Sequence, residues 1–164
     1  MPVFTEGNLR INFPIQPVKF DDPTSHGLTN CMKAVDFIVE EDDRILLIEL
    51  KDPEDPKSSQ VEKSKWIKKF LNGEIDEDLK YKCRDSFLYK WASDQIGKPF
   101  YYLVLVAIDS LTPADLLGRT DELKRKLPIE GPTGIWQRKF VNSCTVFNIQ
   151  EWNKHLPAYH ISRI

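Results

Sequence analysis

The sequence predicts an α/β fold, a central mixed β-sheet flanked by helices, on three observations. Ala34, Val35, Phe37, Ile38 and Val39, then the run at 45–48, form near-continuous apolar stretches of the kind found in strands buried on both faces. Residues 100–108 form a third such stretch. Between them, Ile75, Leu79, Cys83, Phe87 and Trp91 recur every four residues, with Leu88 beside them, which marks a helix with one apolar face. The chain of 164 residues is read as one domain spanning 1–164, long enough for a sizeable core. Apolar residues at 41% and charged residues at 29% fit a globular protein and exclude a disordered one.

In chain order, residues 1–33 carry Pro2, Pro14, Pro17 and Pro23 with alternating Leu9, Ile11 and Phe13, which suits short strand pieces or loops. Residues 34–51 read as a hairpin whose tight turn is Glu40, Glu41, Asp42 and Asp43. Pro53 and Pro56 end its second strand, because proline cannot continue a ladder. Residues 57–71 form a basic helix or extended arm, with five lysines between 57 and 69 against one glutamate. A run like that is ordinarily a solvated face, and beside a metal site it becomes a phosphate track. The helix at 74–95 opens with Asp76, Glu77 and Asp78, where the helix dipole favours negative charge. Thr112 and Pro113 cap and open a helix to about 127. Residues 141–149 read as a strand and 151–156 as a helical turn stopped by Pro157.

Several function classes are excluded or left open. Cys31, Cys83 and Cys144 are an odd, scattered set, so a disulfide framework is not expected, and neither is zinc. There is no run of about 20 apolar residues to span a membrane and no apolar leader at the N-terminus. The expected location is the cytoplasm. A net charge of −2 neither announces nor excludes nucleic-acid binding, which local patches decide.

The chemistry lies in the hairpin. Asp36 stands at the start of its first strand, and Glu49 and Lys51 at the end of its second. In an antiparallel pair those ends are neighbours, and residues two apart share a face. Two carboxylates and a lysine converging at the end of a buried sheet suggest a hard-metal site with a proton-handling group beside it. The competing reading is a solvated strand end, and the apolar flanks weigh against it.

The order of strand, strand with Asp and Glu-x-Lys at adjoining ends, helix and strand resembles the core of the PD-(D/E)XK nuclease superfamily over about residues 30–110. That resemblance implies a restriction-endonuclease-like fold and a metal-dependent nuclease, with DNA the favoured substrate. It implies Asp36, Glu49 and Lys51 as catalytic residues, and Asp36, Glu49 and the Leu50 carbonyl as ligands of magnesium or manganese. Val35 stands where the name-giving proline would be. Gln60, Lys63, Lys80 and Arg84 are candidate substrate contacts. Lys80 and Arg84 fall on the arc between Phe87 and Leu88, where either their stems lie along the edge of the core or they face a negatively charged ligand across a cleft. Glu6 is a candidate additional acid, and His26 a loop histidine with a structural or a site role. A homodimer or a partner protein would supply recognition, for which so short a chain has no visible module. Two alternatives stand beside this reading. One is a catalytically inactive nuclease-fold module that binds nucleic acid or protein. The other is an interaction protein using Trp66, Trp136 and Trp152.

Overall fold

The computed structural model describes residues 1–164. Its elements are β1 (Val3–Glu6), β2 (Leu9–Asn12), β3 (Val18–Lys19), α1 (Pro23–His26), β4 (Phe37–Glu40), β5 (Ile45–Lys51), α2 (Gln60–Leu71), α3 (Asp76–Ala92), β6 (Phe100–Val106), α4 (Pro113–Lys126), β7 (Ser143–Phe147), α5 (Ile149–His155) and β8 (Ile161–Arg163). Five strands form the main sheet in the order β3-β4-β5-β6-β7, and β1-β2-β8 form a smaller one. β3, β4 and β5 pair antiparallel, while β5, β6 and β7 pair parallel, so the main sheet is mixed.

Alternation along the strands divides the core. Leu47, Tyr102, Val104 and Val106 point to one face, where they meet Phe70 of α2, Leu79 and Cys83 of α3, and Leu116 and Leu123 of α4. Leu46, Ile48, Leu103 and Leu105 point to the other, where they meet Leu9, Ile11, Trp152 and Ile161. Helices α2–α4 therefore cover one face, and the small sheet with α5 covers the other. The alternating Leu9, Ile11 and Phe13 lie in and just after β2, and all three are buried. All three cysteines are free, and no helix is long and apolar enough to cross a membrane.

Local sequence fixes the helix starts. Ser59 and Glu62 form a capping box at α2, and Thr112 and Asp115 form another at α4 with Pro113 in the first turn. α3 differs from its sequence reading. Leu79, Cys83 and Ser86 are buried, but Trp91 is 57% and Leu88 56% exposed. Four residues advance about 400°, so an every-four pattern drifts about 40° per step. By Trp91 it has left the inward face set by Leu79.

The first hairpin strand begins at Phe37 rather than at residue 34. Val35 N–H donates to Ser86 Oγ, Phe20 N–H donates to the Asp36 carbonyl, and Leu50 N–H donates to Asp36 Oδ2 at 2.6 Å. The Asp36 side chain thus takes the donor that a longer β4 would have used.

Candidate active site

The β4–β5 register runs Phe37↔Ile48, and one step further along it sets Asp36 opposite Glu49. Glu49 alternates with Leu47 onto the face beneath α3 and is fully buried. Asp36 is 5% exposed and held from both sides by the Phe20 and Leu50 amides. α3 closes the site from above: Asp85 accepts from Lys33 N–H at 2.9 Å and Ser86 accepts from Val35 N–H at 3.0 Å. These bonds fix the chain that delivers Asp36.

Two ammonium groups meet one oxygen of Glu49. Lys82 Nζ of α3 lies 2.7 Å and Lys51 Nζ 2.9 Å from Oε1. Oε2 is buried without a hydrogen-bond partner. An unsatisfied buried carboxylate oxygen is costly and calls for an explanation. Lys51 continues to Asp78 at 3.5 Å, and Asp78 to Lys33 at 2.8 Å, forming a chain of alternating charge that reaches the surface.

The electrostatics set the two carboxylates against each other. Burial and then the nearby Glu49 charge push the Asp36 carboxyl up to about 7, against the opposing pull of the Leu50 amide, Lys82 and Lys19. Burial alone would lower the Lys51 amine, but Glu49 and then Asp78 outweigh it and hold the amine above its ordinary value. Lys51 is therefore a cation at neutral pH.

A second acidic group adjoins Asp36. Carboxylate oxygens of Glu6, Asp21 and Asp36 lie within 4.8 Å of one another. Lys19 Nζ is 2.7 Å from both Glu6 and Asp21. Asp36 thus stands between two clusters, one on each side of β4.

The fold brings Asp36, Glu49, Lys51 and the backbone of Leu50 together, and Glu6 joins them through Asp36. Lys80 and Arg84 are not part of this group. Lys80 pairs with Glu77 at 2.6 Å and lies over the Tyr81 ring, and Arg84 is exposed. The lysine that α3 contributes is Lys82, two residues and about 200° around the helix from each of them. An inward arc extended to Trp91 and Leu88 takes in Lys80 and Arg84, but both of those apolar residues are exposed. Centring it on Leu79, Cys83 and Ser86 brings Lys82 to its edge. Gln60 is exposed and Lys63 half-buried on α2. His26 Nδ1 accepts from Leu28 N–H at 2.9 Å and closes a turn after α1. Asp21, Asp78, Lys19 and Lys33 had no signal in sequence, because their partners lie on other elements. No family model, no curated protein and no solved structure matches the chain.

Proposed function

We propose that the protein is a metal-dependent phosphodiester hydrolase acting on nucleic acid, DNA foremost, in the manner of the PD-(D/E)XK nucleases it resembles. The observation that carries the reading is Glu49 Oε2, a buried carboxylate oxygen without a hydrogen-bond partner beside a second buried carboxylate. Such a pair is unfavourable in the protein alone and suits a divalent cation. Asp36, Glu49 and the Leu50 carbonyl would hold magnesium or manganese. The bound ion would neutralise phosphate charge and acidify the attacking water. Lys51, protonated and tied back to Asp78, orients that water and stabilises charge developing on the phosphate oxygens. Lys82 offsets the buried charge of Glu49 from the helix side.

A second reading, a nuclease-fold binding module without turnover, draws on one observation. Lys51 and Lys82 both occupy Glu49 Oε1, so the protein supplies its own counter-charge. Cleavage assays separate the two. With magnesium or manganese, the wild type is expected to cut DNA, and Glu49→Gln to cut at least about 100-fold more slowly, a loss of about 2.7 kcal/mol in transition-state stabilisation. The apo variant is expected to stay within about 1 kcal/mol of wild-type stability, because weaker lysine contacts offset the relief of repulsion with Asp36. A variant that cuts as fast as wild type contradicts the assignment. Metal binding without cleavage by the wild type selects the second reading.

A further inference from the structure

We infer that α2 is the surface that holds the nucleic-acid backbone, with Lys65, Lys68 and Lys69 as its phosphate contacts. The choice of polyanion rests on the nuclease reading; the surface itself rests on charge and position. Ten of the eleven lysines outside residues 57–69 lie within 4.0 Å of a carboxylate. None of the five inside that segment is in an ion pair, so their positive charge is left for a partner from outside. Glu62, the one acid on α2, is committed to the capping box through Ser59 N–H at 2.7 Å.

The position of α2 ties this charge to the site. Its first half faces the end of β5 across a groove of about 320 Å³, with Leu50, Lys51 and Asp52 on one side and Ser58, Glu62 and Trp66 on the other. Trp66 stacks on the buried Phe70 at 5.5 Å, which anchors the helix beside Lys51. From end to end α2 is about 18 Å long, a length over which a DNA duplex carries roughly ten phosphate charges. At about 100° per residue, Lys65 and Lys68 lie opposite Phe70 and Lys69 lies on the flank beside Lys65. Lys65 and Lys68 are exposed and Lys69 half-buried.

A basic helix also suits an anionic membrane surface, but such a helix needs a free apolar face. Here Trp66 and Ile67 pack against the core and Phe70 is buried in it, leaving only Val61 and Leu71 as large apolar side chains exposed on the helix. The groove continuous with Lys51 points instead to a chain of phosphates that enters the site.

Binding of a labelled 20-base-pair duplex and its single strand, measured by anisotropy in EDTA across a salt series, tests this. Lys65→Gln/Lys68→Gln/Lys69→Gln is expected to lose at least about tenfold in affinity at low salt. Its slope of log affinity against log salt should flatten by about 2 to 3 for duplex. Replacement of the same three lysines by arginine should retain binding. Lys124→Gln/Lys139→Gln/Lys154→Gln, with the same charge change elsewhere, should stay within about twofold of wild type. Equal loss in the two glutamine triples would overturn the inference, since net charge alone would then explain binding. So would a first triple that binds as wild type, or a wild type that ignores oligonucleotides and binds phosphatidylserine vesicles. Binding in EDTA is independent of cleavage. Binding that depends on α2, without cleavage by the wild type, would keep this inference and remove the nuclease reading. Cleavage with binding indifferent to α2 would do the reverse.

Discussion

Two buried charge clusters on α3 differ in what they leave over. At its first turn, Asp76 is almost wholly buried and faces two cations, Lys126 at 3.2 Å and Arg119 at 3.7 Å. Arg119 also donates to the carbonyls of Phe70 and Leu71, and Lys126 to that of Gly73. One acid meets two bases, and the bases are tied to the backbone that links α2 to α3. About two turns along, Lys82 faces Glu49 in the cluster that also holds Asp36 and Lys51. Both clusters hold a buried carboxylate oxygen without a hydrogen-bond partner, Asp76 Oδ2 and Glu49 Oε2, but the two cations approach Asp76 at that oxygen, whereas Lys51 and Lys82 approach Glu49 at the other one, and Glu49 has a second carboxylate beside it. The first cluster is compensated and joins elements together. The second sets two carboxylates against two ammonium groups that both gather at Glu49 Oε1, and the proposed metal would sit on the side of Oε2 and Asp36.

The largest expected effect breaks the compensated cluster. Arg119→Leu leaves Asp76 buried with Lys126 alone and removes the guanidinium hydrogen bonds to the Phe70 and Leu71 carbonyls. Urea unfolding should show a loss of about 4 kcal/mol, the usual cost of removing one partner from a buried pair. A loss below about 1 kcal/mol would mean that Asp76 is not held by Arg119, and the contrast with the site would fail.

The next effect is on pH. The folded carboxyl of Asp36 is raised to about 7 from an ordinary value of 3.8, so between those values the folded state keeps a proton that the unfolded chain has released. Stability from this group is therefore greatest below about pH 4 and is lost as pH rises through about 7. The metal-free protein should lose about 4 kcal/mol from this group across that window. Asp36→Asn keeps an acceptor for the Leu50 amide and removes the titration, so its unfolding free energy should change less with pH and exceed wild type at pH 8. An Asp36→Asn protein with the wild-type pH profile would show that Asp36 is already ionised at pH 4.

How far these clusters were legible in the sequence follows from where their partners lie. Asp36, Glu49 and Lys51 were readable because one hairpin holds them all and strand alternation is strict. The main sheet was readable because β5 and β6 are almost wholly apolar. Glu6 could be named as a candidate, but its approach to Asp36 depends on how the β1–β2 hairpin crosses the sheet, which no local pattern encodes. Lys82 was hidden by a different effect. Its helix carries large apolar residues on two faces, and the exposed Leu88 and Trp91 drew the inward arc about a third of a turn away from Leu79, Cys83 and Ser86. The small sheet over the second face was the least legible part, since its strands have three or four residues and its third strand comes from the far end of the chain.

The smallest effect sharpens the contrast between the clusters most directly. Lys82→Met takes one ammonium from Glu49 and replaces it with a side chain of similar length and no charge. In the compensated cluster, loss of a cation only destabilises. At the site it has two opposed consequences. The metal-free protein should lose about 1 kcal/mol, because Lys51 still neutralises Glu49 and Lys82 is only partly desolvated. A divalent cation should bind more tightly, because a positive charge that competes for Glu49 Oε1 is gone. A gain of about threefold to tenfold corresponds to roughly 1 kcal/mol. Calorimetric titration of manganese into wild type and Lys82→Met reads the second quantity, and urea unfolding in EDTA reads the first. Lower stability with tighter manganese binding would set this cluster apart from the one at Asp76. Lower stability with unchanged or weaker binding would mean that Lys82 and Glu49 are a structural pair like Arg119 and Asp76, and the ligand would then have to be sought on the Glu6, Asp21 and Asp36 side of β4.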